Sequence, residues 1–78
     1  MITSENIARV NHVQKLAKRA GLNRAQFIRE VLYRLHFSRG TAEKVFDGAT
    51  DLDLSVVEKL ALFFEVGKDD VLESKLIS

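Results

Sequence analysis

The sequence has no cysteine, so neither a disulfide nor a thiolate metal site is open to it, and nothing in it marks a redox compartment. It has no proline, which leaves its four glycines as the main punctuation between elements. Histidine occurs twice, at His12 and His36, on different predicted segments and not at the i, i+4 spacing of a zinc helix. No Ser/His/Asp arrangement and no carboxylate pair converge by spacing, so no catalytic residue, no metal ligand and no cofactor are expected, and neither is a small-molecule substrate. A run of about 18 apolar residues, the minimum for a membrane span, is also missing. Residues 1–6 are polar and do not read as a signal peptide, so a cytoplasmic protein that is not an enzyme is the expectation.

What the chain does contain is enough apolar material for one core. At 46% hydrophobic over 78 residues, residues 1–78 read as a single small domain. The net charge of +1 conceals an uneven split. Residues 1–48 carry nine Lys/Arg against four acids, a net of +5, and residues 49–78 carry three against seven, a net of −4. A basic half joined to an acidic half implies one end suited to a polyanion and one not. The plain alternative is a solvated surface whose charges happen to segregate.

The apolar periodicity predicts five helices and an all-α fold, near 5–20, 24–35, 39–47, 54–65 and 69–75, with no sheet beyond a pairing of the last few residues. Ser4 is an N-cap type, and Val10, Val13, Leu16, Ala17 and Ala20 share the inner face of the first helix, which Gly21 closes. Asn23-Arg24-Ala25-Gln26 has the form of a capping box opening the second helix, whose inner face is Phe27, Ile28, Val31, Leu32 and Leu35. His36 then turns the chain in the left-handed region and Ser38 caps a third helix. The competing reading runs the second helix on to Ser38, with Gly40 as its terminal glycine. Asp53 caps the fourth helix, with Val57, Leu60, Ala61 and Phe64 inward, and Val66-Gly67 ends it. The expected core is Val13, Ala17, Phe27, Ile28, Val31, Leu35, Phe37, Ala42, Val45, Val57, Leu60, Ala61, Phe64 and Leu72. The third helix is too short to stand alone, since isolated helices below about 12 residues are marginal in water, so its neighbours must hold it.

The run Phe37-Ser38-Arg39-Gly40-Thr41-Ala42-Glu43-Lys44-Val45, followed by Gly48, resembles the signature of the XRE family, the lambda-repressor-like and Cro-like helix-turn-helix class. Leu54, Val57, Leu60, Ala61, Phe64 and Val66, then Asp69-Asp70-Val71-Leu72, stand where that family has its downstream apolar positions, and the resemblance covers about residues 10–73. Three features depart from the pattern: a second helix longer by about one turn, His36 where the turn usually has glycine, and Phe46 at a site often acidic.

The resemblance implies a compact five-helix domain with its helix-turn-helix core at about 24–47, and a transcriptional regulator that binds double-stranded DNA. The third helix would enter the major groove, with Arg39, Gly40, Glu43 and Lys44 facing base edges. Asn23, Arg24 and Gln26 at the start of the second helix, with Ser38 and Thr41, would meet phosphates. For Asn23 and Gln26 the capping box itself is the simpler role. The rival reading is a protein-interaction module or an antitoxin-type partner-binding protein on the same fold. A homodimer is expected through a surplus apolar stripe of Val56 and Phe63 with Leu76 and Ile77, on the acidic half away from phosphate.

Overall fold

The computed structural model describes residues 7–76. The order of elements is β1 (Ile7–Asn11), α1 (Val13–Arg19), α2 (Arg24–Arg34), α3 (Arg39–Phe46), α4 (Leu54–Phe64), α5 (Lys68–Val71) and β2 (Leu72–Leu76). The chain is mostly helical but not all-α, because β1 and β2 pair antiparallel with Ile7 opposite Leu76 and Asn11 opposite Leu72.

That sheet corrects both ends of the sequence reading. The first helix does not start near residue 5 but at Val13, and the last is four residues long. The apolar spacing of Val10, Val13, Leu16 and Ala17 fits a helix, yet Asn11 diverts the backbone. Its Oδ1 accepts from the Val13 amide at 2.8 Å, supplying an acceptor at the helix start, and its Nδ2 donates to the Val45 and Ala49 carbonyls at 2.9 and 2.8 Å. The residues before it then take their backbone partners from β2, and the His12 amide donates to the Val71 carbonyl at 2.9 Å. A pattern only five residues long cannot decide between periods, so the long-range pairing does.

The middle of the chain follows its local signals. Asn23 Oδ1 accepts from the Gln26 amide at 2.8 Å while Gln26 Oε1 accepts from the Asn23 amide at 2.9 Å, a complete capping box. His36 sits at φ 58°, ending α2, and Ser38 Oγ accepts from the Thr41 amide at 3.2 Å, so α3 starts at Arg39 and the longer-helix alternative falls. Three helices close on the same reversal, in which an amide reaches back five residues: Leu22 to Ala17, Ala49 to Lys44 and Val66 to Ala61. The first two turn on Gly21 and Gly48 at positive φ. The third turns on Glu65 at φ 57°, one residue before the expected Val66-Gly67 stop.

The core forms where α1, α2, α3 and α4 meet, around Phe27. This ring is fully buried and lies 5.4 Å from Phe46, 6.0 Å from Phe64 and 6.4 Å from Phe63, centroid to centroid. Val13, Leu16, Ala17, Ile28, Val31, Phe37, Ala42, Val45, Val57, Leu60 and Ala61 complete it. Val71 rather than Leu72 takes the buried place at the C-terminal end, and Leu35, Phe64 and Leu72 lie half-buried at the margin.

Candidate nucleic-acid interface

α3 is held by one narrow face. Ala42 and Val45 are fully buried, Arg39, Gly40 and Lys44 are exposed, and Thr41 and Glu43 are half-exposed. The sequence expectation of a short helix near 39–47 with its polar side outward therefore describes the element, which ends at Phe46. Gly40 has no structural reason to be glycine: its φ is not left-handed, and a Cβ built there would meet nothing within 4 Å.

The charges around α3 are less free than their sequence positions imply. Arg24 lays its guanidinium on the far end of α3, with Nε donating to Asp47 Oδ1 at 3.2 Å and Nη2 to Asp47 Oδ2 at 3.0 Å, and Glu43 Oε2 at 3.6 Å. The hydrogen bond from Arg24 holds the Asp47 carboxyl below the usual carboxylate range, and the guanidinium keeps its proton more firmly in return. Lys44 Nζ donates to Asp51 Oδ2 at 3.3 Å, and that bond likewise lowers the Asp51 carboxyl. Of Arg24, Arg39 and Lys44, the cations assigned above to bases and phosphates, only Arg39 has no acidic partner within 4 Å among the described residues. It shares an open groove with Arg24 and Arg29.

Asn23, Gln26, Ser38 and Thr41 are engaged locally. The first two form the capping box, and Ser38 Oγ, besides capping α3, donates to Thr41 Oγ1 at 2.9 Å. Their backbone amides still mark two helix N-termini, the kind of end that favours an anion.

The stripe expected to carry a dimer is divided. Val56 and Phe63 are half-buried against the core, Phe63 edge-on to Phe64 at 5.0 Å. Leu76 is exposed on β2, and Ile77 lies outside the described residues. The apolar side chains that α4 turns outward are Leu54 and Leu62, the latter 80% exposed. Sequence reasoning gave no role to Asn11, Arg29, Tyr33 or Asp47. An asparagine followed by a helix-compatible run is an unspecific signal, and the Arg24–Asp47 fork joins residues 23 apart.

His12 Nε2 and Glu73 Oε1 lie 2.8 Å apart, tying the start of α1 to β2, and this contact lowers the Glu73 carboxyl. Among the described residues no group of three His, Asp or Glu side chains is placed to hold a metal ion, and no helix is long and apolar enough to cross a membrane. No family model, no curated protein and no solved structure matches the chain.

Proposed function

We propose that the chain is a sequence-specific double-stranded-DNA-binding transcriptional regulator of the lambda-repressor-like, Cro-like helix-turn-helix class, with α3 in the major groove. The observation that carries this reading is α3 itself. It is an eight-residue helix capped by Ser38, seated on Ala42 and Val45 against α2, with Arg39, Gly40 and Lys44 facing out. A helix of that diameter fits a groove about 12 Å wide, and its first turn is the part that meets base edges. Arg39, with no acidic partner among the described residues, donates in a fork to guanine O6 and N7, Glu43 accepts from a cytosine amine, and Lys44 serves base or phosphate. Gly40, which the fold does not require, leaves room for the duplex to come close.

The α2 N-terminus, with Asn23, Arg24 and Gln26, lies on a phosphate, and Ser38 and Thr41 flank another. Arg24 stays shared with Asp47 in this arrangement, so it releases less counterion than a free arginine. A homodimer completes the reading, because one recognition helix spans only a few base pairs and a symmetric partner supplies the second half-site about 34 Å away. Among the described members of the proposed Val56, Phe63, Leu76 and Ile77 contact, Leu76 is the exposed one.

Selection of bound sequences from random duplex DNA tests the proposal, with a palindromic consensus as the expected result. Arg39→Ala should then lose about 1–3 kcal/mol and relax preference at one base pair. Arg24→Ala should weaken all sequences alike and reduce the salt slope by less than the roughly one unit of a free phosphate contact. No salt-dependent affinity for any duplex would end the reading.

A further inference from the structure

The longer α2 builds a groove along its outer side. Ala25, Ile28, Leu32 and Tyr33 form an apolar floor and wall, in a space of about 780 Å³ that opens to solvent. Ile28 and Leu32 form the edge of the core-facing side of α2, and Ala25 and Tyr33 extend that edge outward along the helix. Tyr33 is 79% exposed, an aromatic ring left in water beside that floor. The rim is cationic: Arg29 in the middle of α2 and Arg39 across on α3, with Arg24, shared with Asp47, at the start of α2, and no acidic residue among the described residues that line the groove.

A phosphodiester backbone has use for the rim but little for the floor, since its phosphates, the groups that govern its affinity for proteins, are anionic. A partner that matches both must carry carboxylates around apolar side chains. From residue 24 to residue 33 the groove follows α2 for about 14 Å, the length of two to three helical turns. We infer that this groove docks an acidic protein segment that anchors two large apolar side chains against Leu32 and Tyr33 while its carboxylates meet Arg29 and Arg39. This is the helix-in-groove mode, with apolar anchors for affinity and charge for orientation.

The docking stands on the groove alone. One consequence rests on the duplex-binding reading: Arg39 belongs both to the rim and to the base-reading end of α3, so the segment and DNA exclude each other.

The test begins with a displayed library of random 12-residue peptides, selected on the wild-type chain and counter-selected on Tyr33→Ala/Arg29→Glu. Both side chains are exposed, so the variant should fold, and its melting curve is to be compared with that of the wild type before selection. Enriched peptides should carry net negative charge and two large apolar residues three or four apart. A synthetic copy of the strongest should bind at least tenfold more weakly to Tyr33→Ala and to Arg29→Glu separately. The docking is overturned if nothing is enriched, if neutral or basic peptides win, or if neither substitution weakens binding. It is equally overturned if Tyr33→Ala lowers affinity for a 30-base-pair random duplex as much as for the peptide, which would make the groove a nucleic-acid surface, or abolishes self-association, which would make its occupant a second copy. Where the chain binds duplex, simultaneous binding of both would refute the exclusion and leave the docking standing.

Discussion

Replacing Asn11 by aspartate exchanges one NH2 group for an oxygen, keeps the shape, and reverses what the side chain offers to α3. The native amide donates to the Val45 and Ala49 carbonyls at 2.9 and 2.8 Å and accepts from the Val13 amide at 2.8 Å, all in a half-buried setting. Each such hydrogen bond contributes about 1 kcal/mol net, so Asn11→Ala should cost about 3 kcal/mol. A domain of this length has about 4–12 kcal/mol in total, and the loss corresponds to a drop of roughly 12–24 °C in melting temperature. Asn11→Asp should cost at least as much at pH 7, because it keeps the Val13 contact but sets a carboxylate against two carbonyl oxygens.

The two variants separate on acidification. In Asn11→Asp only the protonated carboxyl can donate to a carbonyl, so its folded pKa lies above the ordinary value of about 3.9. A carboxyl raised in the folded state destabilises most above that folded pKa, and its deficit shrinks as pH falls through it. Thermal unfolding of wild type, Asn11→Ala and Asn11→Asp between pH 7 and pH 4 should therefore show the aspartate curve approaching wild type while the alanine gap stays constant. An aspartate variant as stable as wild type at pH 7, or a deficit independent of pH, would refute the bonding assigned to Asn11.

Two further outcomes follow from the same geometry. His36 and Glu65 hold positive φ without being glycine, a conformation that costs a side chain about 1–2 kcal/mol, part of which glycine returns through its freer unfolded chain. His36→Gly and Glu65→Gly should each raise stability by about 0.5–1 kcal/mol in urea titrations, and a loss at either site would show that the side chain has contacts that outweigh the strain. Asp47, Asp51 and Glu73 have folded pKa values depressed by Arg24, Lys44 and His12 respectively. Their contribution is present above the unfolded carboxylate value of about 4 and is lost as pH falls through the lower folded values, so wild-type stability should decline below about pH 4. Glu73→Gln should flatten that decline, and 1 M salt should shrink it, because the carboxylates face solvent.

Most of the fold from residue 23 to residue 64 was legible because its signals are local. The Asn23 box, the His36 turn, the Ser38 cap and the apolar face of α4 each depend on residues within one or two turns. Pairing of the last few residues was allowed for, but their partner β1 was not legible, since Val10 meets Glu73 across most of the chain and the helical spacing of Val10 and Val13 is genuine but unused. The exposed residues of α3 could be read from its wheel. Their freedom could not: whether Arg24 and Lys44 are paired depends on where α3 and the following loop bring Asp47 and Asp51. Phe63 and Leu62 are adjacent in sequence, and a wheel alone does not say which one the core reaches. The Phe27 and Phe64 rings take Phe63, leaving Leu62 in water.

The unforeseen contacts converge on one end of α3. Asn11 holds the Val45 and Ala49 carbonyls, Gln14 Nε2 donates to the Phe46 carbonyl at 2.9 Å, Arg24 forks onto Asp47, and Lys44 reaches Asp51. All of these engage the last turn of the helix or the residues just after it. Among the described residues the first turn has the Ser38 cap and its own buried Ala42. A short helix clamped at its C-terminal end keeps its axis fixed relative to α1 and α2, while Arg39 and Gly40 at the other end stay uncommitted. That asymmetry suits the base-reading role proposed for α3, because precision comes from the supporting structure and the contacting side chains must be free to trade water for a partner. The N-terminal strand has the same logic: through Asn11 it braces the end of α3 farthest from Arg39, so a segment remote in sequence sets the direction in which Arg39 points.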